Sequence, residues 1–192
     1  MRRNIDAWWP YVDGAEGEKI EAIVMTASGC GATVKEYGHL LAHDSAYAAK
    51  AAQLSLLTRD LSEILPQFEA QLQQRLAGKI NKRIAYHPPC SLQHGQQIRG
   101  KVEHLLRLAG VDVQLCADSH VCCGSAGTYS VLQPELAYQL RDNKLANLQA
   151  TQAEMIVSAN IGCLTHLQSG TQTPVRHWIE LIDNAMALPE RA

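Results

Sequence analysis

The sequence predicts an α/β protein: a parallel-sheet βαβ module with cysteines at the carboxyl ends of its strands, preceded by the last part of a second, like module. Three observations carry this reading. Short apolar runs alternate with longer stretches of helical spacing, the pattern of βαβ units. Four of the six cysteines fall just past the ends of those runs. A stretch near the start of the chain also matches one near its end.

Taken in order, AIVMTA (residues 22–27) reads as a short buried strand ending before Gly29 and Cys30. Residues 37–76 read as a long helical stretch, broken near Pro66 because proline cannot continue a helix. KRIAYH (82–87) is a strand, stopped by Pro88 and Pro89. IRGKVEHLLRLAG places Val102, Leu105, Leu106 and Ala109 on one helix face, with Gly110 as the stop. VDVQLC (111–116) is the next strand, and residues 126–149 are again helical in spacing. MIVSAN (155–160) is a strand, and VRHWIELIDNAM (175–186) reads as a closing amphipathic helix.

Composition narrows the function classes. Hydrophobic residues make up 46% of the 192 and charged residues 19%, which suits a buried core and argues against disorder. The net charge is −2 without a basic stripe, so no nucleic-acid partner is expected. No stretch approaches the roughly 20 apolar residues of a membrane span. Arg2 and Arg3 open the chain with no apolar run behind them, so no signal peptide is expected. Six cysteines in such a chain point to metal ligands or catalytic thiols rather than to a disulfide framework.

Placed on this map, the cysteines converge. Cys90 lies past the strand ending at His87, Cys122 and Cys123 past the one ending at Cys116, and Cys163 past the one ending at Asn160. In open α/β sheets this edge is where ligands bind, so three βα loops bring four thiols together. A disulfide between neighbours needs a strained ring, so the vicinal pair reads as part of the converging set. Gly124 is expected to let the backbone approach whatever is held, and helix N-termini to favour a negatively charged group such as a thiolate-ligated cluster. Cys116 reads as a core residue. Zinc is an alternative, with Cys90, one of the pair, Cys163 and His166 as a Cys3His set, but its four ligands leave one thiol of the pair unused. His166 equally suits a helix face. His87 and His94, flanking Cys90, read as hydrogen-bond donors behind the ligands or as plain loop residues. GSAGT has no following lysine and is no phosphate loop.

The chain also resembles itself. EAIVMTASGC (21–30) matches EMIVSANIGC (154–163), and upstream RRNIDA (2–7) resembles RDNKLA (141–146). Counterparts of Cys90, Cys122 and Cys123 would then precede Met1. The expectation is a truncated two-module protein. Residues 1–78 would be the carboxyl-terminal part of a first module plus linking helices, and residues 79–192 a complete second module. On this reading DAWWPYV (6–12) lacks its cover and strand 22–27 is an unpaired edge, making the first part less stable.

Cys90, then Cys122-Cys123-Gly124, then Cys163 resembles the cysteine-rich CCG module. That module occurs twice in one of the subunits of heterodisulfide reductase and in iron–sulfur subunits of flavin-linked 2-hydroxyacid dehydrogenases. TASGCGATVKEYGHLL (26–41) and SANIGCLTHLQSG (158–170) most resemble the glycolate oxidase (glycolate dehydrogenase) iron–sulfur subunits. The resemblance implies that Cys90, Cys122, Cys123 and Cys163 ligate an iron–sulfur cluster of the [4Fe-4S] type. The five-cysteine form of the module ends in Cys-x-x-Cys, and here the last place is His166, which becomes a candidate ligand. Cys30 is the remnant of the first site, with Thr33 at the matching last place. No residue is assigned a catalytic role, and the family's ferredoxin-like cysteine runs are absent from this sequence. The implied activity is that of the whole complex: glycolate is oxidised to glyoxylate at a flavin on a partner subunit, and electrons pass toward a quinone-type acceptor. The implied partners are flavin-binding subunits, and the implied location is the cytoplasm, peripheral at the inner face of the membrane through the complex alone. The alternatives are a heterodisulfide-reductase-like or lactate-utilisation CCG subunit, or a zinc-binding structural or docking module.

Overall fold

Strands that alternate with helices must pair in parallel, because each returns through a crossover on the sheet face. Every strand pair among the described residues is parallel. A computed structural model describes residues 1–76 and 79–187. The chain divides into two units, Met1–Ile64 and Leu65–Ala192. Residue 78, the expected end of the first module, lies outside the described residues.

In the first unit, α1 (Arg2–Asp13) leads to β1 (Ile23–Met25), α2 (Ser28–Lys35), α3 (Tyr37–Leu40), α4 (Ala48–Leu57), β2 (Thr58–Asp60) and α5 (Leu61–Ile64). The continuous helical stretch expected over residues 37–76 is therefore interrupted by a strand. Thr58, Arg59 and Asp60 carry no apolar run, and their strand character comes from pairing with Ile23, Val24 and Met25. The Thr58 hydroxyl donates to the Leu54 carbonyl at 2.7 Å, and Glu63 accepts from the Asp60 backbone N–H at 2.9 Å. Strand β1 is thus paired rather than orphaned. The aromatic opening of the chain is partly covered, with Tyr11 left exposed. Ile5 and Val12 are buried in a core with Val34, Tyr37, Leu41, Ala51 and Leu54, and Trp8 and Trp9 pack against it. The Lys50 ammonium sits 5.0 Å above the Trp9 ring. Asn4 donates to the Tyr37 hydroxyl at 2.9 Å.

The second unit begins with a 3-10 turn (Leu65–Phe68) and α6 (Glu69–Leu76). Then come β3 (Arg83–His87), a π turn (Ser91–Gly95), α7 (Lys101–Leu108), β4 (Asp112–Leu115), α8 (Thr128–Leu132), α9 (Pro134–Gln149), β5 (Met155–Ser158), α10 (Ile161–Gln168), β6 (Val175–His177) and α11 (Trp178–Ala187). The sheet order is β4-β3-β5-β6. Its centre, β3, is buried from Ile84 to His87, as expected of a strand covered on both faces. Two expectations are revised. Residues 175–177 form a strand, not the start of a helix, because Val175, Arg176 and His177 pair with Ile156, Val157 and Ser158. The helix expected over 126–149 breaks at Gln133, since proline at 134 disfavours helical backbone in the residue before it.

The self-similarity runs further in space than in sequence. In each unit a strand leads to a helix whose third residue is cysteine, Cys30 in α2 and Cys163 in α10. A later strand then returns parallel to the first, β2 beside β1 and β6 beside β5. TRDLSE (58–63) and VRHWIE (175–180) share their arginine and glutamate. Glu63 accepts from the Asp60 N–H and Glu180 from the His177 N–H, both at 2.9 Å.

Ile5, fully buried, fills the first unit's core, and Ile5→Ala should cost about 2–5 kcal/mol. Limited proteolysis should then cut within residues 1–64 and leave a carboxyl-terminal fragment carrying the CCG cysteines. First cuts between Cys90 and Cys163 would contradict this ordering of stabilities.

Candidate metal centre

The order β4-β3-β5-β6 makes the chain leave β3 in one direction toward β4 and later return on its other side as β5. Ligands of open α/β sheets bind at such a switch point, outside the strand carboxyl ends. Each of these three strands delivers a cysteine there. Past β3, Pro88 and Pro89 supply no N–H to extend the ladder, and Cys90 enters the π turn. Past β4 comes the loop with Cys122 and Cys123. Past β5, Asn160 caps α10 by accepting from the Gly162 N–H at 2.9 Å, which sets Cys163 in the first helical turn.

The loops are tied to one another and to the helices. The Gln93 amide donates to the Pro88 carbonyl at 3.0 Å and to the His120 carbonyl at 3.4 Å, and His94 Nε2 lies 3.3 Å from the same His120 oxygen. Asn160 donates to the Ser91 hydroxyl at 3.1 Å. From α9, the buried Lys144 ammonium donates to the Asp118 carbonyl, and Asn147 to the Ala117 carbonyl at 3.2 Å. The loop that carries the vicinal pair is thereby held from both sides.

Gly124 answers a packing demand different from the one expected. It adopts φ +90°, and a Cβ there would lie 2.2 Å from the Ala137 carbonyl oxygen. The missing side chain admits the backbone of α9, which closes over the loop just after the vicinal pair. The pair therefore ends against a helix and its thiols turn toward Cys90 and Cys163.

The four thiols form one hydrogen-bonded set, with Cys122 between Cys90 and Cys123, and Cys123 also bonded to Cys163. The Gly124 N–H points at the Cys122 sulfur, 3.3 Å away. Hydrogen bonds from Cys123 and Cys90 hold Cys122 well below the ordinary thiol range, against its burial. Cys163 is drawn down to about 6, chiefly by the Cys123 thiol and with help from His87. Cys123 and Cys90 are pushed up, above all by their bonds to Cys122. The four thiols thus pull one another in opposite directions, Cys122 and Cys163 down and Cys90 and Cys123 up. Only a bound cation would let all four ionise together.

A fifth donor joins them. A ring nitrogen of His87 and the sulfurs of Cys123 and Cys163 all lie within 4.8 Å of one another, and all three residues are buried. The sequence alone leaves His87 as a donor or a loop residue; the available signal is its place as the last residue of an otherwise apolar strand. The other candidates lie elsewhere. Cys116 is buried in the core beside Ala85 and Ile156, as the sequence suggests, and burial raises its thiol. Cys30 is exposed, on α2 of the first unit. His166 stacks on the Tyr138 ring, with centroids 5.9 Å apart. Its Nε2 lies 3.1 Å from the Ala137 carbonyl and beside Gly124.

Two outcomes follow from this geometry. Gly124→Ala should destabilise the metal-free protein by about 1–3 kcal/mol, measured by thermal melting, because it adds both a strained φ and a clash with Ala137. In metal-free protein at pH about 7, where ordinary thiols are protonated, alkylation within the cluster should fall first on Cys122, as peptide mass spectrometry would show. Earlier modification of Cys90 would contradict the proton order.

Comparison with known proteins agrees with this architecture. Residues 84–168 match the family of the cysteine-rich CCG domain. The chain is 51% identical over 185 residues to the "Glycolate oxidase iron-sulfur subunit" of Escherichia coli (strain K12), covering 96% of this chain and 44% of that protein. It is 31% identical over 158 residues to the "Probable glycolate oxidase iron-sulfur subunit" of Bacillus subtilis (strain 168), covering 82% of this chain and 35% of that protein. It is 28% identical over 151 residues to the "Lactate utilization protein A" of Bacillus velezensis, covering 78% of this chain and 63% of that protein. The chain thus spans less than half the length of the two glycolate oxidase subunits. From Ile84 to Gln168, around the converging thiols, the chain matches the cysteine-rich CCG domain, and over nearly its whole length it resembles the glycolate oxidase iron–sulfur subunits.

Proposed function

We propose that this chain is an iron–sulfur electron-transfer segment of a flavin-linked glycolate dehydrogenase complex. The observation that carries the proposal is the convergence of Cys90, Cys122, Cys123 and Cys163 at the switch point of a parallel sheet. Soft thiolates suit iron, and the donor set fits the group. The four sulfurs are close enough to shift one another's ionisation, and a buried imidazole stands beside them without a hydrogen bond of ordinary geometry. The first turn of α10 adds backbone N–H groups at the same edge, which favour negative charge.

Cys90, Cys122, Cys123 and Cys163 would hold a cluster of the [4Fe-4S] type. When bound, such a cluster supplies single-electron transfer at a potential tuned by its surroundings. The protein's part is to bind and to insulate. The Gly124 N–H is aimed at the Cys122 sulfur, α9 closes over the loop, and the buried Lys144 places a positive charge near Cys116 beneath it. In the intact complex, glycolate oxidation to glyoxylate belongs to a flavin on a partner subunit, and the electrons leave toward a quinone-type acceptor. This reading takes its substrate from the names of the glycolate oxidase relatives. Among the described residues no helix is long and apolar enough to cross a membrane, so membrane contact is proposed to run through the complex, at the cytoplasmic face. The first unit is proposed as the closing part of a like module, with Cys30 as its remaining cysteine.

Zinc is the competing occupant, since His87, Cys123 and Cys163 with one further thiol would complete a tetrahedral set. Anaerobic reconstitution with iron and sulfide separates the two. A brown protein that bleaches on reduction, with iron and sulfide in stoichiometric amounts, is expected. Cys123→Ser should lose most of the cluster, whereas Cys116→Ala and Cys30→Ser should keep it. Equal loading of the Cys123 variant, or a colourless protein that retains only zinc, would overturn the reading.

A further inference from the structure

His87 occupies the last position of the central strand, paired in register with Ser158. The Ser158 hydroxyl donates to the His87 carbonyl at 2.8 Å, which fixes the backbone that carries the ring. The residue is 1% exposed, and neither ring nitrogen makes a hydrogen bond of ordinary geometry. This is an unusual state for a buried polar group, since such groups are almost always paired. A neutral imidazole has one nitrogen with a proton and one without. The bare nitrogen needs a donor or a metal ion, and no hydrogen bond of ordinary geometry reaches it.

What the ring faces is sulfur. One of its nitrogens and the sulfurs of Cys123 and Cys163 lie within 4.8 Å of one another. Two ligand atoms on a single tetrahedral metal, at bond lengths of about 2.0–2.3 Å, stand about 3.5–4 Å apart. The three atoms are therefore within a small side-chain adjustment of sharing one ion. His166, which the Cys-x-x-His spacing nominates, has its Nε2 at the Ala137 carbonyl instead.

We infer that His87 is a nitrogen ligand of the metal centre. The inference rests on the cluster reading above and deepens it. The donor set becomes four sulfurs and one nitrogen, and the nitrogen comes from the strand end rather than from α10.

The test uses the full chain, reconstituted anaerobically with iron and sulfide and then reduced, with pulsed electron paramagnetic resonance as the readout. Wild-type protein should show the strong hyperfine coupling of a directly bound imidazole nitrogen, and labelling of histidine with nitrogen-15 should change it. His87→Ala and His87→Cys should both abolish that coupling, the cysteine variant keeping its cluster at a shifted midpoint potential. His166→Ala should leave the coupling intact. Circular dichroism of each variant checks that it is folded, and the cysteine variant carries the test if the alanine variant is not. A wild-type cluster without nitrogen coupling, a coupling that survives in folded His87→Cys, or one lost in His166→Ala would overturn the assignment while leaving the cluster reading intact. Failure of the wild-type chain to load any cluster would overturn both.

Discussion

Four thiols and a buried imidazole are brought to one edge of a parallel sheet in this protein, where they cannot all ionise without a compensating charge. Their contacts hold Cys122 and Cys163 below the ordinary thiol range and push Cys90 and Cys123 above it. Beside them, the imidazole of His87 makes no hydrogen bond of ordinary geometry. Burying a polar group in that state costs about 1–3 kcal/mol, and burying like charges costs more. The rest of the second unit is organised around sustaining this arrangement. A parallel sheet offers three loops at one edge, two prolines stop the central strand, and a glycine lets a helix backbone close over the vicinal pair.

The two units share more than one motif. Strand, cysteine-bearing helix and returning parallel strand recur, and each ends with a glutamate three residues past the last strand residue, accepting from its N–H. That bond ties each returning strand to the helix that follows it. The cysteine position is common to both units. Of the two matching positions, Cys163 stands among other thiols, because among the described residues the second unit carries β3 and β4 beside it. The same local geometry therefore carries a buried, clustered thiol in one unit and an exposed one in the other.

Much of this was legible in the sequence, for identifiable reasons. Strands β3, β4 and β5 are apolar runs bounded by proline, glycine and polar residues, and their ends place the cysteines at one edge. Strands β2 and β6 were hidden because each is three residues long and runs directly into a helix. Val175, Trp178, Leu181 and Ile182 have helical spacing, so the strand merged with the helix after it. Thr58-Arg59-Asp60 has no apolar residue to mark it, and only pairing with β1 makes it a strand. The histidines were the subtler matter. Spacing along the chain favours His166, three residues from Cys163, but α9 lies on that side and takes the ring. His87 is remote from Cys163 in sequence and adjacent in space, a relation set by the β3–β5 register and by nothing local.

That register also dictates an order of events during biosynthesis. Cys90 and Cys122-Cys123 emerge with β3 and β4, but the place for a metal does not exist until β5 pairs on the far side of β3 and brings Cys163 beside His87. Contacts this distant in sequence close late, since the intervening chain must first lose its freedom. Until then the vicinal thiols are open to oxidants and to stray metal ions. On the proposed reading, a metal group offered before that strand docks would meet an incomplete set of ligands, so the β3–β5 pairing and not the vicinal cysteines completes the site.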